Sequence, residues 1–221
     1  MDQNTKKRKV AEAVLDYISN GDSLGIGSGS TVNILIENLS KVKKKIRNIV
    51  SSSVKSTEVL EANGFEVSEL RDVGRLTKYI DGADEVNNHL QMIKGGGGAL
   101  TREKILAHNS NKFICIVDDS KKVDMLGKFP LPIEVIPLSR SSVSLELIKH
   151  GGRPVLRENF ISDNGNLILD VHNMQIMEPL KLEQTINNIP GVVTNGIFAL
   201  DHANVLLCAG DSGVEKKELS A

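Results

Sequence analysis

Four short stretches of this chain carry residue types that can grip an anion or move a proton. The first is Gly25-Ile26-Gly27-Ser28-Gly29-Ser30-Thr31. Glycines let a backbone approach a ligand closely, and amides at a helix start point at an anion with the helix dipole assisting. A phosphate suits such a turn, and a plain tight turn explains the glycines too. The letters exclude two familiar phosphate sites. A P-loop places Lys before its Ser or Thr, and no Lys stands before Ser30 or Thr31. A dinucleotide turn needs a third glycine where Ser30 stands, and an acidic residue about 20 positions on, where Ser51-Ser52-Ser53 stand. A simple phosphate monoester fits better than either.

The second stretch is Asp81-Gly82-Ala83-Asp84-Glu85. Carboxylates this close repel one another unless cations or ligand hydroxyls intervene, which suits proton transfer or sugar binding; a solvated acidic turn is the plainer alternative. The third is Lys94 followed by Gly95, Gly96, Gly97 and Gly98, then Ala99, Leu100, Thr101, Arg102 and Glu103. Consecutive glycines are costly to order, so beside a Lys they suggest a ligand that needs backbone amides at close range. Thr101 reads as a helix N-cap, with Glu103 in the first turn. There Glu103 either complements the dipole or, with Asp81 and Asp84 near, holds a proton. The fourth is Asp118-Asp119-Ser120-Lys121, whose Lys121 is a phosphate partner or a surface charge.

The elements that must position these stretches can be read from apolar spacing. Val10, Ala13, Val14, Tyr17 and Ile18 predict a helix over 6–18, ended by Asn20-Gly21. A strand over 23–27 leads through the glycine-serine turn into a helix whose stripe is Val32, Leu35, Ile36 and Leu39. Strand, turn and helix in this order open a parallel α/β sheet. The runs 46–50, 65–67, 78–80, 113–117 and 205–209 are expected to continue it. Residues 131–200 read differently: a strand at 133–136, a helix at 142–149, a hairpin from 154–157 to 167–171 around Asp163-Asn164-Gly165, a helix at 180–189 and a strand at 192–200. That is the β-α-β-β-α-β order of a ferredoxin-like unit. The expected architecture is therefore α/β, a parallel-sheet Rossmann-like domain (1–129 with 203–221) holding an inserted α+β ferredoxin-like domain (130–202). The tail over 215–221 reads as frayed. In an open α/β sheet, ligands bind beyond the carboxyl ends of the strands, so all four stretches are expected to share one cleft.

Composition removes several functions. The 221 residues carry 27 Lys and Arg against 28 Asp and Glu, a net charge of -1, so no uniform field draws the chain to nucleic acid or an anionic membrane. Aromatic residues are 3%, too few to stack a single strand. No apolar stretch reaches the roughly 20 residues that span a bilayer. The polar, basic first residues precede no signal core, which predicts a cytoplasmic protein. Cys115 and Cys208 sit in apolar runs and read as buried thiols of neighbouring strands. The 5 histidines lack ligand spacing, so no metal is expected.

Seven separated motifs, GIGSGST (25–31), SSS (51–53), DGADEVN (81–87), KGGGGALTREKI (94–105), DDSK (118–121), GKFPLP (127–132) and IPGVVTNGIF (189–198), together resemble the ribose-5-phosphate isomerases of type A. The resemblance runs through nearly the whole chain. It implies that Ser28, Gly29, Ser30 and Thr31 bind the substrate's phosphate with Lys7 and Lys121, and that Gly82, Ala83, Gly95, Gly96 and Gly97 line the sugar. Asp81, Asp84 and Lys94 would handle the ring oxygen and hydroxyls, and Glu103 would shuttle the proton. It also implies an enzyme without cofactor or metal, a homodimer or homotetramer, acting in the pentose phosphate pathway. Gly98, where many members carry Ala, Val54-Lys55 after the serines and the charged tail depart from the pattern. A sugar-phosphate-binding regulatory module would keep the phosphate turn but has no need of Glu103 with Asp81, Asp84 and Lys94. A coenzyme A transferase can share the sheet and a Glu near a Gly-rich turn, but length and the Asp81 and Asp84 pair disfavour it.

Overall fold

The structure, a computed structural model, describes residues 1–219. In chain order its elements begin α1 (Gln3–Ala13), β1 (Asp22–Ile26), α2 (Ser30–Leu39), β2 (Ile46–Ser51), α3 (Val54–Ala62), α4 (Leu70–Val73), β3 (Lys78–Asp81), β4 (Glu85–Val86), β5 (Met92–Ile93), α5 (Leu100–His108) and β6 (Phe113–Asp118). They continue with β7 (Leu131–Val135), α6 (Arg140–Lys149), β8 (Arg153–Leu156), β9 (Leu167–His172), α7 (Pro179–Asn187), β10 (Val192–Asn195), β11 (Ile197–Phe198), β12 (Val205–Gly210) and β13 (Gly213–Glu218). The chain divides into two compact units, one of residues 1–83, 102–121 and 203 onward, the other of 84–101 and 122–202. Among the described residues no helix is long and apolar enough to cross a membrane.

The first unit is built on a six-stranded sheet in the order β13-β12-β6-β3-β1-β2, parallel except for β13, which runs antiparallel to β12. Strands buried on both faces need apolar residues throughout, and β1 and β6 are buried at every position. Leu24, Ile26 and Ile80 face a core with Val10 and Val14 of the N-terminal segment and Val32, Leu35 and Ile36 of α2. On the other face Gly25 yields space: a Cβ there would lie 2.8 Å from Leu76 and 2.9 Å from Tyr79, with Leu106 of α5 next at 3.6 Å. The chain passes from β1 out to β2, then returns across β1 to β3. The direction of winding therefore reverses between β1 and β3, where an open sheet leaves its crevice at the carboxyl ends.

The second unit holds a four-stranded antiparallel sheet, β10-β7-β9-β8, and a three-stranded one, β11-β5-β4. Val143 and Leu147 of α6 and Ile186 of α7 close over Ile133, Val135, Leu169 and Val171.

Several expectations change. Residues 84–101 and 122–129, assigned to the first domain from sequence, cluster with the second unit, because β4 and β5 pair with β11. Residues 65–67 form no strand; Phe65 is buried and only the neighbouring Ser68 N–H reaches β2, donating to the Ile49 carbonyl at 2.7 Å. The expected strand over 192–200 splits at Gly196, where a Cβ would meet the Lys94 carbonyl oxygen at 2.3 Å, and its halves join different sheets. The helix over 6–18 ends early as α1 and tightens into a 3₁₀ turn, Val14–Tyr17. The tail is not frayed through 218: β13 pairs with β12 along its whole length, while residues 220–221 of that expectation lie outside the described residues. Cys115 and Cys208 are buried in the neighbouring strands β6 and β12.

Candidate active site

In the first unit the side chains with chemistry gather where the winding reverses. Tyr79 and Asp81, two residues apart on β3, share one face of the strand. Gly27 makes room for the Asp81 carboxyl: a Cβ on Gly27 would stand 1.9 Å from its Cγ. Asp81 is fully buried and accepts from the Ser28 N–H at 3.1 Å, the Gly82 N–H at 2.7 Å and the Tyr79 hydroxyl. The Ser28 hydroxyl donates to Glu103 Oε1 at 2.6 Å, and Glu103 is 3% exposed in the first turn of α5. One serine thus touches both carboxylates, through its amide and its hydroxyl. Burial, reinforced by the negative charges of Asp81 and Glu103, holds the Tyr79 hydroxyl well above its ordinary pKa, so it stays a proton donor.

The turn continues into α2. Gly29 takes φ of 98°, a backbone that favours glycine, and its carbonyl accepts from the Asn33 N–H, which leaves the first amides of α2 at the carboxyl end of β1. Ser30 is exposed and accepts from Lys7 Nζ at 3.0 Å, and Thr31 follows in the first turn. Lys121 closes a 3₁₀ turn, Asp119–Lys121, after β6; Asp118 anchors that turn by accepting from the Ser120 N–H and hydroxyl. A neighbouring ammonium, Lys6, is engaged by Asp119 at 2.8 Å and Asp211 at 3.1 Å.

The remaining candidate residues belong to the second unit. Asp84 accepts from the Gly96 N–H at 2.8 Å. Lys94 is 3% exposed; its N–H donates to the Gly196 carbonyl at 2.9 Å and its ammonium lies 5.5 Å from the centre of the Phe198 ring. Gly95 to Gly98 form a tight turn closed by the Gly98 N–H on the Gly95 carbonyl at 2.9 Å, with φ of 100° at Gly95 and 82° at Gly98. Glu85 stands apart from the chemistry: its carboxylate accepts the Gly127 and Phe129 N–H groups at 2.8 and 2.5 Å. Thr101 is not an N-cap. Helix α5 already includes Leu100, and the Thr101 hydroxyl donates instead to buried Glu134. Among the described residues no group of metal-ligating side chains gathers.

Two contributors escaped the sequence reading. Tyr79 was legible in principle, as the residue two before Asp81 and so on the same face of a buried strand. Arg157 was not: it donates to the carbonyls of Gly95 and Gly96 from about sixty positions away.

Comparison with known proteins supplies the family. A family model described as ribose 5-phosphate isomerase A (phosphoriboisomerase A) matches residues 48–213. The chain is 52% identical over 221 residues to ribose-5-phosphate isomerase A of Buchnera aphidicola subsp. Acyrthosiphon pisum (strain Tuc7), with 99% of each chain covered. It superposes on the crystal structure of ribose 5 phosphate isomerase A from Neisseria gonorrhoeae with a TM-score of 0.97 at 48% identity, covering 100% of this chain and 99% of the other. A D-ribose-5-phosphate isomerase solved in complex with phospho-erythronic acid gives 0.95 at 36% identity, covering 99% and 100%. With a family model matched over residues 48–213 and a relative 52% identical over 99% of the chain, this chain belongs to the ribose-5-phosphate isomerase A family.

Proposed function

We propose that this chain interconverts D-ribose 5-phosphate and D-ribulose 5-phosphate through a cis-enediolate, with Glu103 as the base. The observation that carries the reading is Ser28, whose amide and hydroxyl bind Asp81 and Glu103 at the sheet's reversal point, at the entry to a helix N-terminus fit for phosphate. The reaction opens the ring, removes the C2 proton and returns a proton to C1, while the hydroxyl proton on O2 leaves and O1 gains one; no electrons enter or leave. A buried carboxylate on a rigid helix start can shuttle the carbon-bound proton. A buried ammonium, Lys94, offsets the charge that develops on the enediolate oxygens. Asp81 and Asp84, each orienting backbone amides, handle the ring oxygen and hydroxyls.

The phosphate is held by the amides and hydroxyls of Ser28, Gly29, Ser30 and Thr31, with Lys7 and Lys121 adding charge. Gly82, Ala83, Gly95, Gly96 and Gly97 line the sugar. The phosphorylated sugar acid bound to the relative fits this chemistry, since a carboxylate presents two coplanar oxygens as an enediolate does. The reading includes turnover without metal or cofactor, a place in the pentose phosphate pathway, a cytoplasmic homodimer or homotetramer, and a ferredoxin-like fold for the β7-α6-β8-β9-α7-β10 unit. The test is direct: purified, chelator-treated protein is given ribose 5-phosphate, and ribulose 5-phosphate is followed. Rapid ketose formation is expected, with unphosphorylated ribose a very poor substrate. No ketose from the folded protein refutes the activity, and turnover that chelation abolishes and a divalent ion restores refutes the metal-free mechanism.

A further inference from the structure

Arg157 follows β8, and its guanidinium is gripped from two sides. Asp170 of β9 holds one edge as a fork, Nη2 to Oδ1 at 2.5 Å and Nε to Oδ2 at 2.8 Å. The other edge reaches the glycine turn: Nη1 donates to the Gly95 carbonyl at 3.3 Å and the Gly96 carbonyl at 3.2 Å, and Nη2 to the Gly95 carbonyl at 3.3 Å. The peptide joining Gly95 to Gly96 is thereby anchored at both ends, its carbonyl on Arg157 and its N–H on Asp84. The next peptide also sets its carbonyl on Arg157. Carbonyl and N–H of a trans peptide point in opposite directions, so the Gly97 N–H faces away from the guanidinium, on an exposed residue. Phe160 supports the turn from beneath. A Cβ on Gly98 would stand 2.1 Å from its ring, and the Arg157 guanidinium lies 5.2 Å from the ring centre.

We propose that Arg157 is a positioning residue for the isomerase reaction: through the Gly95 and Gly96 carbonyls it fixes the glycine turn so that the Gly97 amide is presented to a substrate oxygen. Four successive glycines have the widest conformational freedom of any sequence, and the ordering of this turn needs an outside anchor. The assignment rests on the isomerase reading above. A lysine cannot replace the arginine, because a point charge cannot fork onto Asp170 and span two carbonyls together.

The test compares wild type with Arg157→Ala, Arg157→Lys and Asp170→Asn. Each is examined for kcat and KM on ribose 5-phosphate, for thermal midpoint, and for hydrogen exchange of the peptide carrying residues 95–98. Arg157→Ala is expected to lose about 10- to 100-fold in kcat/KM while folded, with faster exchange confined to the turn. Arg157→Lys should not recover it. Added guanidinium ion should restore part of the activity of Arg157→Ala and none of that of Asp170→Asn, which keeps its arginine. Wild-type kcat/KM in folded Arg157→Ala overturns the proposal, as does a loss that guanidinium leaves untouched and that follows the unfolded fraction. If wild type itself makes no ketose, the isomerase reading fails instead, and the exchange measurement alone decides whether Arg157 holds the turn.

Discussion

Adding one methyl group at Gly27 should disable the site through Asp81. The new Cβ would lie 1.9 Å from Asp81 Cγ, 2.0 Å from Oδ1 and 2.4 Å from Oδ2. Carbon atoms rest about 3.5–4.0 Å apart, so the carboxyl has to retreat by roughly 2 Å or push the strand ends apart. Its bonds to the Ser28 N–H, the Gly82 N–H and the Tyr79 hydroxyl cannot all survive that shift. Hydrogen bonds to a charged group contribute about 1.5–3 kcal/mol each, and loss of two would destabilise the fold by about 3–6 kcal/mol. At this chain length each kcal/mol moves the thermal midpoint by about 2–4 °C, so a drop of roughly 10 °C is expected. Misplacing a group by about 1 Å can cost about 100-fold in rate, and kcat should fall by at least that factor in the folded variant. Gly21→Ala is the control. It has φ of 85° but nothing within 4 Å, so it should cost about 1–2 kcal/mol of strain and leave kcat unchanged. Gly27→Ala with wild-type kcat and thermal midpoint would show that the Asp81 carboxyl neither needs its place nor fills it.

Lys121→Ala should raise KM for ribose 5-phosphate by about 10-fold or more and lower kcat far less, as loss of a charge-assisted phosphate contact requires; an unchanged KM removes Lys121 from the site. Asp22 supplies a pH dependence. Burial pushes its carboxyl up, but the Lys78 ammonium at 2.5 Å and the Ser19 N–H at 2.7 Å outweigh that and leave its pKa lowered. A carboxyl lowered by folding adds stability that is fully present above its unfolded pKa, about 3.9, and is lost as pH falls through the folded value. Asp22→Asn should therefore be about 1.5–3 kcal/mol less stable than wild type in urea at pH 7, the gap closing below about pH 4; a gap constant down to pH 3 contradicts the linkage.

The site's first unit could be read from letters because its signals are local. A glycine-serine turn after an apolar run, and acidic residues after another, identify carboxyl ends of parallel strands, and topology then brings Ser28, Asp81 and Glu103 together. What stayed hidden depends on partners distant in sequence. Nothing near Arg157 announces Gly95, and nothing near Glu134 announces the Thr101 hydroxyl that makes an apparent N-cap an ordinary helical residue. The tail misled for a different reason. β13 is an edge strand whose outward residues Glu215, Lys216, Lys217 and Glu218 face solvent, so its composition imitates a loop while its backbone pairs fully with β12. Residues 65–67 are the reverse, an apolar alternation lying beside the edge strand β2 that forms no ladder with it: Phe65 is buried in the core, and the backbone reaches β2 through the Ser68 N–H on the Ile49 carbonyl.

The role of Glu103 is tested most directly by exchange of the C2 hydrogen of ribose 5-phosphate in deuterated water, followed by NMR with wild type and Glu103→Gln. Glutamine keeps the size of the side chain and can still accept from the Ser28 hydroxyl, but it cannot take a proton from carbon. The account predicts that Glu103→Gln slows exchange and turnover together by about 10²- to 10⁴-fold while KM stays within a few-fold. Exchange at close to the wild-type rate in Glu103→Gln would reduce Glu103 to a residue that complements the α5 dipole and would move the base to Asp81 or Asp84.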